Sequence, residues 1–98
     1  SGFAQMVFKL SGIKLLRDAH QQATQGTLVE SLSDAGVGDL AFFEDEEKQI
    51  VHVGIILPNS QIIHAFGRVR IDTLDTDGIF HERKKIHTHK LCLIKRFI

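Results

Sequence analysis

The sequence predicts an α+β domain, with N-terminal helices packed on an antiparallel β-sheet. Three observations lead there. Phe3, Met6, Val7 and Leu10 recur at i, i+3, i+4 and i+7, the spacing of one apolar helix face. From Asp39 onward the apolar residues come instead in short runs separated by turn residues, as strands do. The helical segments precede the strands rather than alternating with them, which favours antiparallel pairing over a parallel sheet.

In chain order, the first helix is expected over Gly2 to Leu10, stopped by Gly12. Asp18 to Thr24 is polar and reads as a short second helix that Asp18 can cap. Gly26 to Gly38 is loop-like, broken by Ser31, Ser33, Asp34, Gly36 and Gly38. Leu40 to Phe43 is a short apolar run, and Glu44 to Lys48 an acidic hairpin tip. Ile50 to Leu57 reads as a strand, Pro58-Asn59-Ser60 as a turn and Gln61 to Phe66 as a second strand. Val69 to Ile71 is a candidate third strand, and Lys90 to Ile98 a closing one. Glu82-Arg83-Lys84-Lys85 reads as a turn with solvated charges.

The 98 residues fit one small domain, and the 43% that are apolar suffice for a single core. Twelve basic residues balance twelve acidic ones, which argues against a nucleic-acid partner, because such surfaces carry a clustered basic excess. No apolar run approaches the roughly 18–20 residues of a membrane span. No signal peptide is visible, and export stays open because a longer parent chain is expected. Cys92 is the single cysteine, so no internal disulfide can form. Trp and Tyr are both absent, which suggests that part of any substrate pocket comes from elsewhere.

Two histidines draw attention. Side chains alternate along a strand, so Ile50, His52, Gly54 and Ile56 share one face, and Val51, Val53, Ile55 and Leu57 the other. The second face is uniformly apolar and is expected to meet the core. His52 is then expected on the less apolar face, beside an open space at Gly54. If Pro58-Asn59-Ser60 is a three-residue loop, Leu57 pairs with Gln61 and Gly54 with His64. His64 is then diagonal to His52 on the same face, roughly 7–8 Å between backbones. A two-residue loop would put them on opposite faces. Three readings of the pair stay open. They are structural histidines with satisfied hydrogen bonds, a metal pair that recruits His87 or His89, or a catalytic base with an orienting partner. The third needs a nucleophile. Cys92, between Leu91 and Leu93, reads instead as a small buried hydrophobe.

Gly38-Asp39-Leu40-Ala41-Phe42-Phe43, then His52-Val53-Gly54-Ile55-Ile56, then Ile63-His64-Ala65 resembles the second half of the NlpC family of cell-wall cysteine peptidases. That family's other hallmark, Asp-Cys-Ser-Gly-Phe, is matched in its last three positions by Ser1-Gly2-Phe3. The resemblance covers nearly the whole chain and keeps the motif order. It implies a papain-like fold and a thiol mechanism, with a cysteine at a helix N-terminus in the parent protein, directly before Ser1. By family position His52 is the base, and His64 the polar partner that holds its tautomer. Residues 1–98 are thus expected to be a peptidase domain without its first residues, and inactive alone because the nucleophile position is outside it.

Leu16-Arg17-Asp18-Ala19 narrows the resemblance to γ-D-glutamyl-L-diamino acid peptidases, the dipeptidyl-peptidase VI subgroup. Those enzymes take peptides with a free N-terminal L-Ala. By the same resemblance Asp18 binds the substrate ammonium and Ser1 lines the pocket. Val69 to Leu74 and Gly78 to Phe80 also look like that subgroup. Leu16, Ala19 and Ile56 depart from its common pattern, which leaves fine substrate preference open. The implied partners are a murein peptide and SH3-like domains upstream in a monomeric parent. The implied setting is the bacterial cell envelope or periplasm, with the cytoplasm as the alternative, and no cofactor or metal is implied. Two other functions compete: a non-catalytic wall-peptide or partner-binding relative, and a metal-dependent hydrolase using His52, His64 and a third histidine.

Overall fold

The computed structural model describes residues 23, 24 and 26–96. The strands are β1 (Thr27–Val29), β2 (Leu40–Glu44), β3 (Ile50–Leu57), β4 (Gln61–Phe66), β5 (Arg68–Asp75), β6 (Gly78–His81) and β7 (Ile86–Arg96), with one 3₁₀ turn at Leu32–Asp34. They pair antiparallel in the order β1-β7-β2-β3-β4-β5-β6, and a further β6–β7 pairing closes β2 to β7 into a six-stranded barrel. The length of β7 makes closure possible. Its first residues pair with β6, while its later ones pair with β2 and β1. Closure removes the unpaired edges that an open sheet would expose.

The expected fold class is therefore corrected. Among the described residues there is no α-helix, and the architecture is an antiparallel β-barrel rather than an α+β sheet with helices packed on it. The first expected helix, Gly2 to Leu10, lies outside the described residues. So does most of the second, of which Ala23 and Thr24 form a turn. The sheet's share of the chain is larger than the sequence pattern suggests, for physical reasons. β1 has three residues and β6 four, too few to show alternation. β5 extends past the expected Val69 to Ile71 at both ends, and β7 begins at Ile86, ahead of the polar His87-Thr88-His89-Lys90 stretch that it includes.

Both faces of the central strands are buried. Val29, Ala41, Phe43, Ile56, Ile62, Leu74, Ile79 and Ile94 come from all seven strands and meet inside the barrel. Leu40, Phe42, Val53, Ile55 and Ile63 form a second cluster on the outer face, with Ala23 against it. Val53 and Ile55 do enter an apolar core as expected, but the face carrying His52, Gly54 and Ile56 is the one that points into the barrel. The open space expected beside Gly54 is also corrected. A Cβ there would lie 2.7 Å from Cδ1 of Ile62, so the isoleucine fills it.

The loop that decides the histidines is as expected: Leu57 pairs with Gln61 and Gly54 with His64. Asn59 and Ser60 take the left-handed conformation, with φ of 62° and 58°, to turn the chain in three residues. The acidic tip between β2 and β3 is organised by Asp45, whose Oδ1 accepts the Glu47 and Gln49 N–H groups. At the other end, Arg96 on β7 donates to both oxygens of the buried Asp39, at 3.0 and 2.8 Å. The pair ties the last described strand to the residue before β2. Gly78 is required where β6 meets β7: its φ is 141°, and a Cβ would lie 1.8 Å from the His89 carbonyl oxygen.

Candidate active site

His52 and His64 come together. Nε2 of His52 is 2.8 Å from Nδ1 of His64, and both rings are buried. Nε2 of His64 is in turn 2.7 Å from Oδ2 of Asp72 on β5. The register explains the third member. His64 pairs with Arg70, so Asp72, two residues on, is its diagonal neighbour on the same face. Arg70 steadies the carboxylate from the far side, with Nε 3.0 Å from Oδ2 and Nη2 3.2 Å from Oδ1. Its Nη2 also donates to Nε2 of His81 at 2.7 Å.

These contacts fix the protons. An ionised carboxylate only accepts, so His64 donates from Nε2 and its Nδ1 carries a lone pair. His52 must then donate from Nε2, which leaves the lone pair of His52 on Nδ1. The relay Asp72–His64–His52 therefore presents one defined basic atom.

The electrostatics agree. Burial works to raise the Asp72 carboxyl, but hydrogen bonds from Arg70 and His64 outweigh it and hold the group below its ordinary value, ionised. Burial lowers His64, against the opposing pull of Asp72, and keeps it neutral. Burial, then the neighbouring rings of His89 and His64, lower His52 to about 3. An imidazolium at His52 thus needs a nearby anion to form.

A third histidine joins this pair. The His89 ring stacks on His52 with centroids 4.0 Å apart and an interplanar angle of 23°. A bulge puts it there. Ile79 pairs with His89 and Phe80 with His87, so Thr88 is the extra residue and the two histidines diverge. His87 goes instead to Asp75, 2.8 Å from Oδ2, in an exposed pair. A second bulge in β7, where Phe42 pairs with Leu93 and Phe43 with Leu91, leaves Cys92 unpaired against β2. Cys92 is therefore exposed, which corrects its reading as a buried hydrophobe. Partial desolvation and the Glu44 carboxylate push its thiol up, the wrong direction for a nucleophile. Ser1 and Asp18, expected in the substrate pocket, lie outside the described residues.

Residues 1–88 match the sequence profile of the NlpC/P60 family. The chain belongs to the NlpC/P60 family. It is 34% identical over 98 residues to the γ-D-glutamyl-L-lysine dipeptidyl-peptidase of Bacillus subtilis, an alignment covering 98% of this chain and 31% of that protein. It is 48% identical over 79 residues to a protein named probable endopeptidase p60 in Listeria seeligeri, covering 80% of this chain and 15% of the relative. The corresponding protein of Listeria monocytogenes is 43% identical over 79 residues, again 80% of this chain and 16% of the relative. The chain thus spans less than a third of the length of each.

Sequence reasoning brings His52 beside His64 and names His89 only as one of two histidines the pair could recruit; it gives no role to Arg70 or Asp72. The alternation Arg70-x-Asp72 beside the His64 strand is the one signal that could have found these last two. No helix among the described residues is long and apolar enough to cross a membrane.

Proposed function

We propose that this domain carries the base and relay of a cysteine peptidase that hydrolyses murein peptides. Its bond is the one between γ-D-Glu and an L-diamino acid, in peptides with a free N-terminal L-Ala. The observation that carries the reading is the hydrogen-bond chain from Asp72 through His64 to His52, which leaves a single lone pair on His52 Nδ1. The nucleophile is the thiol of a cysteine directly before Ser1 in the parent protein, a reading supported by Ser1-Gly2-Phe3 and by family membership.

The thiol passes its proton to His52 Nδ1, and the resulting thiolate is the anion that a buried imidazolium needs. Attack on the γ-carbonyl forms a covalent tetrahedral intermediate. His52 then protonates the leaving amine of the diamino acid, and the thioester remains. Water, deprotonated by His52, releases L-Ala-γ-D-Glu and restores the thiol. Throughout, His64 accepts the His52 Nε2–H and keeps the ring in its working tautomer. Asp18 pairs with the substrate ammonium and Ser1 lines the same pocket, a reading supported by the relative named for γ-D-glutamyl-L-lysine cleavage. The setting that fits this substrate is the bacterial cell envelope, with SH3-like domains of the parent chain completing the pocket.

The test is hydrolysis of L-Ala-γ-D-Glu-L-Lys by the intact parent protein, with products separated by chromatography. Release of L-Ala-γ-D-Glu is expected, together with a loss of about 10²–10⁴-fold in His52→Ala, the range for removing a general base. An intact tripeptide would refute the substrate, and an active His52→Ala would refute the base.

A further inference from the structure

Three imidazoles meet at this site, and the peptidase relay uses two. One ring nitrogen from each of His52, His64 and His89 lies within 4.8 Å of the other two. Tetrahedral coordination with metal–nitrogen bonds of about 2.0–2.1 Å needs nitrogens about 3.4 Å apart. To converge on one ion, the His52 and half-buried His89 rings must turn out of their present stack, in which the centroids lie 4.0 Å apart at 23°. His52 and His64 already approach to 2.8 Å, closer than metal ligands sit.

The second, independent observation is the outer shell. A histidine that binds metal through one ring nitrogen usually has the other held by an oxygen, often a carboxylate. Nε2 of His64 is held by Asp72 at 2.7 Å, which leaves Nδ1 free to ligate. Nδ1 of His89 is held by the Thr88 hydroxyl at 2.8 Å, which leaves Nε2. Thr88 is the bulged residue that places His89 here, so one irregularity of β7 supplies both the ligand and its support. Phe43 and Phe66 meet the His89 ring edge to face at 6.0 and 4.8 Å and keep it beside His52.

We propose that His52, His64 and His89 bind one divalent transition-metal ion of the zinc class, and that the ion replaces the proton shared by His52 and His64. Imidazole nitrogens suit zinc, copper and nickel rather than magnesium or calcium. On binding, the His52 proton moves from Nε2 to Nδ1, so all three rings ligate neutral and no proton is released. His52 Nδ1 then carries a proton and can no longer accept one. On the peptidase reading above, the bound ion therefore inhibits; the binding itself does not depend on that reading.

The experiment is calorimetric titration of zinc chloride into the chelator-stripped full-length protein, with His89→Phe and His87→Gln in parallel. Phenylalanine keeps the aromatic contacts of His89 and removes its nitrogens. His87→Gln disables the exposed cluster of Asp75, Asp77 and His87, which could also take a cation. Binding of one ion is expected, at least tenfold weaker in His89→Phe and unchanged in His87→Gln. Equal affinity in wild type and His89→Phe would overturn the proposal, placing the ion on a thiol–imidazole pair or elsewhere. Should His89→Phe not fold, cobalt(II) absorption of the unaltered protein decides. A d–d spectrum without thiolate charge transfer supports an all-nitrogen site, and a charge-transfer band overturns it. The imidazole N–H proton resonance of the His52–His64 bond should vanish on zinc addition, and its persistence in zinc-saturated protein would overturn the replacement step. Both readouts are independent of hydrolysis. Failure of the peptidase reading would show as an inactive protein that still binds zinc through His89.

Discussion

Asp72 touches neither substrate nor nucleophile in the proposed mechanism, yet its removal should slow the reaction. Asp72→Ala deletes the acceptor for His64 Nε2–H, held at 2.7 Å. His64 is then free to carry its proton on Nδ1, where it would oppose the His52 Nε2–H instead of accepting it. A hydrogen bond to a charged group is worth about 1.5–3 kcal/mol, and each ~1.4 kcal/mol is tenfold in rate. The competent tautomer should therefore become about 10- to 150-fold rarer. The loss should fall on kcat, with KM little changed, because ground-state binding of the peptide does not involve Asp72. Arg70, left without its carboxylate, still disfavours a charged His64, so the ring stays neutral and the loss is one of tautomer.

Asp72→Asn separates positioning from bulk. Both Arg70 Nε and His64 Nε2 donate to Oδ2, so the amide oxygen should take that place and the amide nitrogen face Arg70 Nη2. Asparagine then keeps the tautomer but loses the charge and the Arg70 Nη2 hydrogen bond, and its activity should lie between wild type and alanine. The assay is steady-state hydrolysis of L-Ala-γ-D-Glu-L-Lys by the intact protein, with the His64 tautomer read from ring nitrogen chemical shifts. An Asp72→Ala variant that melts like wild type and works within about threefold of it would refute the reasoning, since the bond's lower bound already exceeds that. So would an asparagine variant slower than the alanine one.

Two further outcomes follow from packing and charge. Gly54→Ala forces a Cβ to within 2.7 and 2.8 Å of Ile62 Cδ1 and Cγ1, and 3.0 Å of the Ile63 carbonyl. Overpacking of this kind costs about 1–3 kcal/mol, a drop of at least about 4 °C in melting temperature for a domain this size; an unchanged melt would mean the β3–β4 seam yields freely. For Asp39, burial works to raise the carboxyl, but Arg96 and the Gly36 N–H hold it below its ordinary 3.8. A depressed folded value gives stability that is present above pH 3.8 and lost as pH falls through the folded value. Asp39→Asn should therefore melt lower at neutral pH and show a shallower fall on acidification. Parallel melting curves for the two proteins across that acid range would contradict this.

What the sequence discloses about the site depends on how far its geometry is local. His52 and His64 are legible because three residues, Pro58-Asn59-Ser60, set the parity between two adjacent strands, and parity alone decides whether the rings share a face. Asp72 lies one turn further on. Phe66 pairs with Arg68 across Gly67 alone, a reversal so tight that nothing in Phe66-Gly67-Arg68 announces where the ladder resumes. The charges Arg70 and Asp72 are visible in the sequence, but the side they face is not.

His89 is harder still, because its neighbours are the product of barrel closure. Nothing between Ile86 and Lys90 alternates cleanly, and β6 is too short to be read as the partner that makes these residues a strand. The bulges at Thr88 and Cys92 each shift parity by one residue, so an alternation carried back from Leu93 misplaces Cys92 and then His89, while at His87 the two shifts cancel. The buried reading of Cys92 fails for the same reason that His89 goes unnoticed as the ring on His52. A bulge leaves no residue type as its mark; it is settled by which partner strands a segment must satisfy at once. β7 must satisfy β6, β2 and β1, and its two irregularities are where those registers are reconciled.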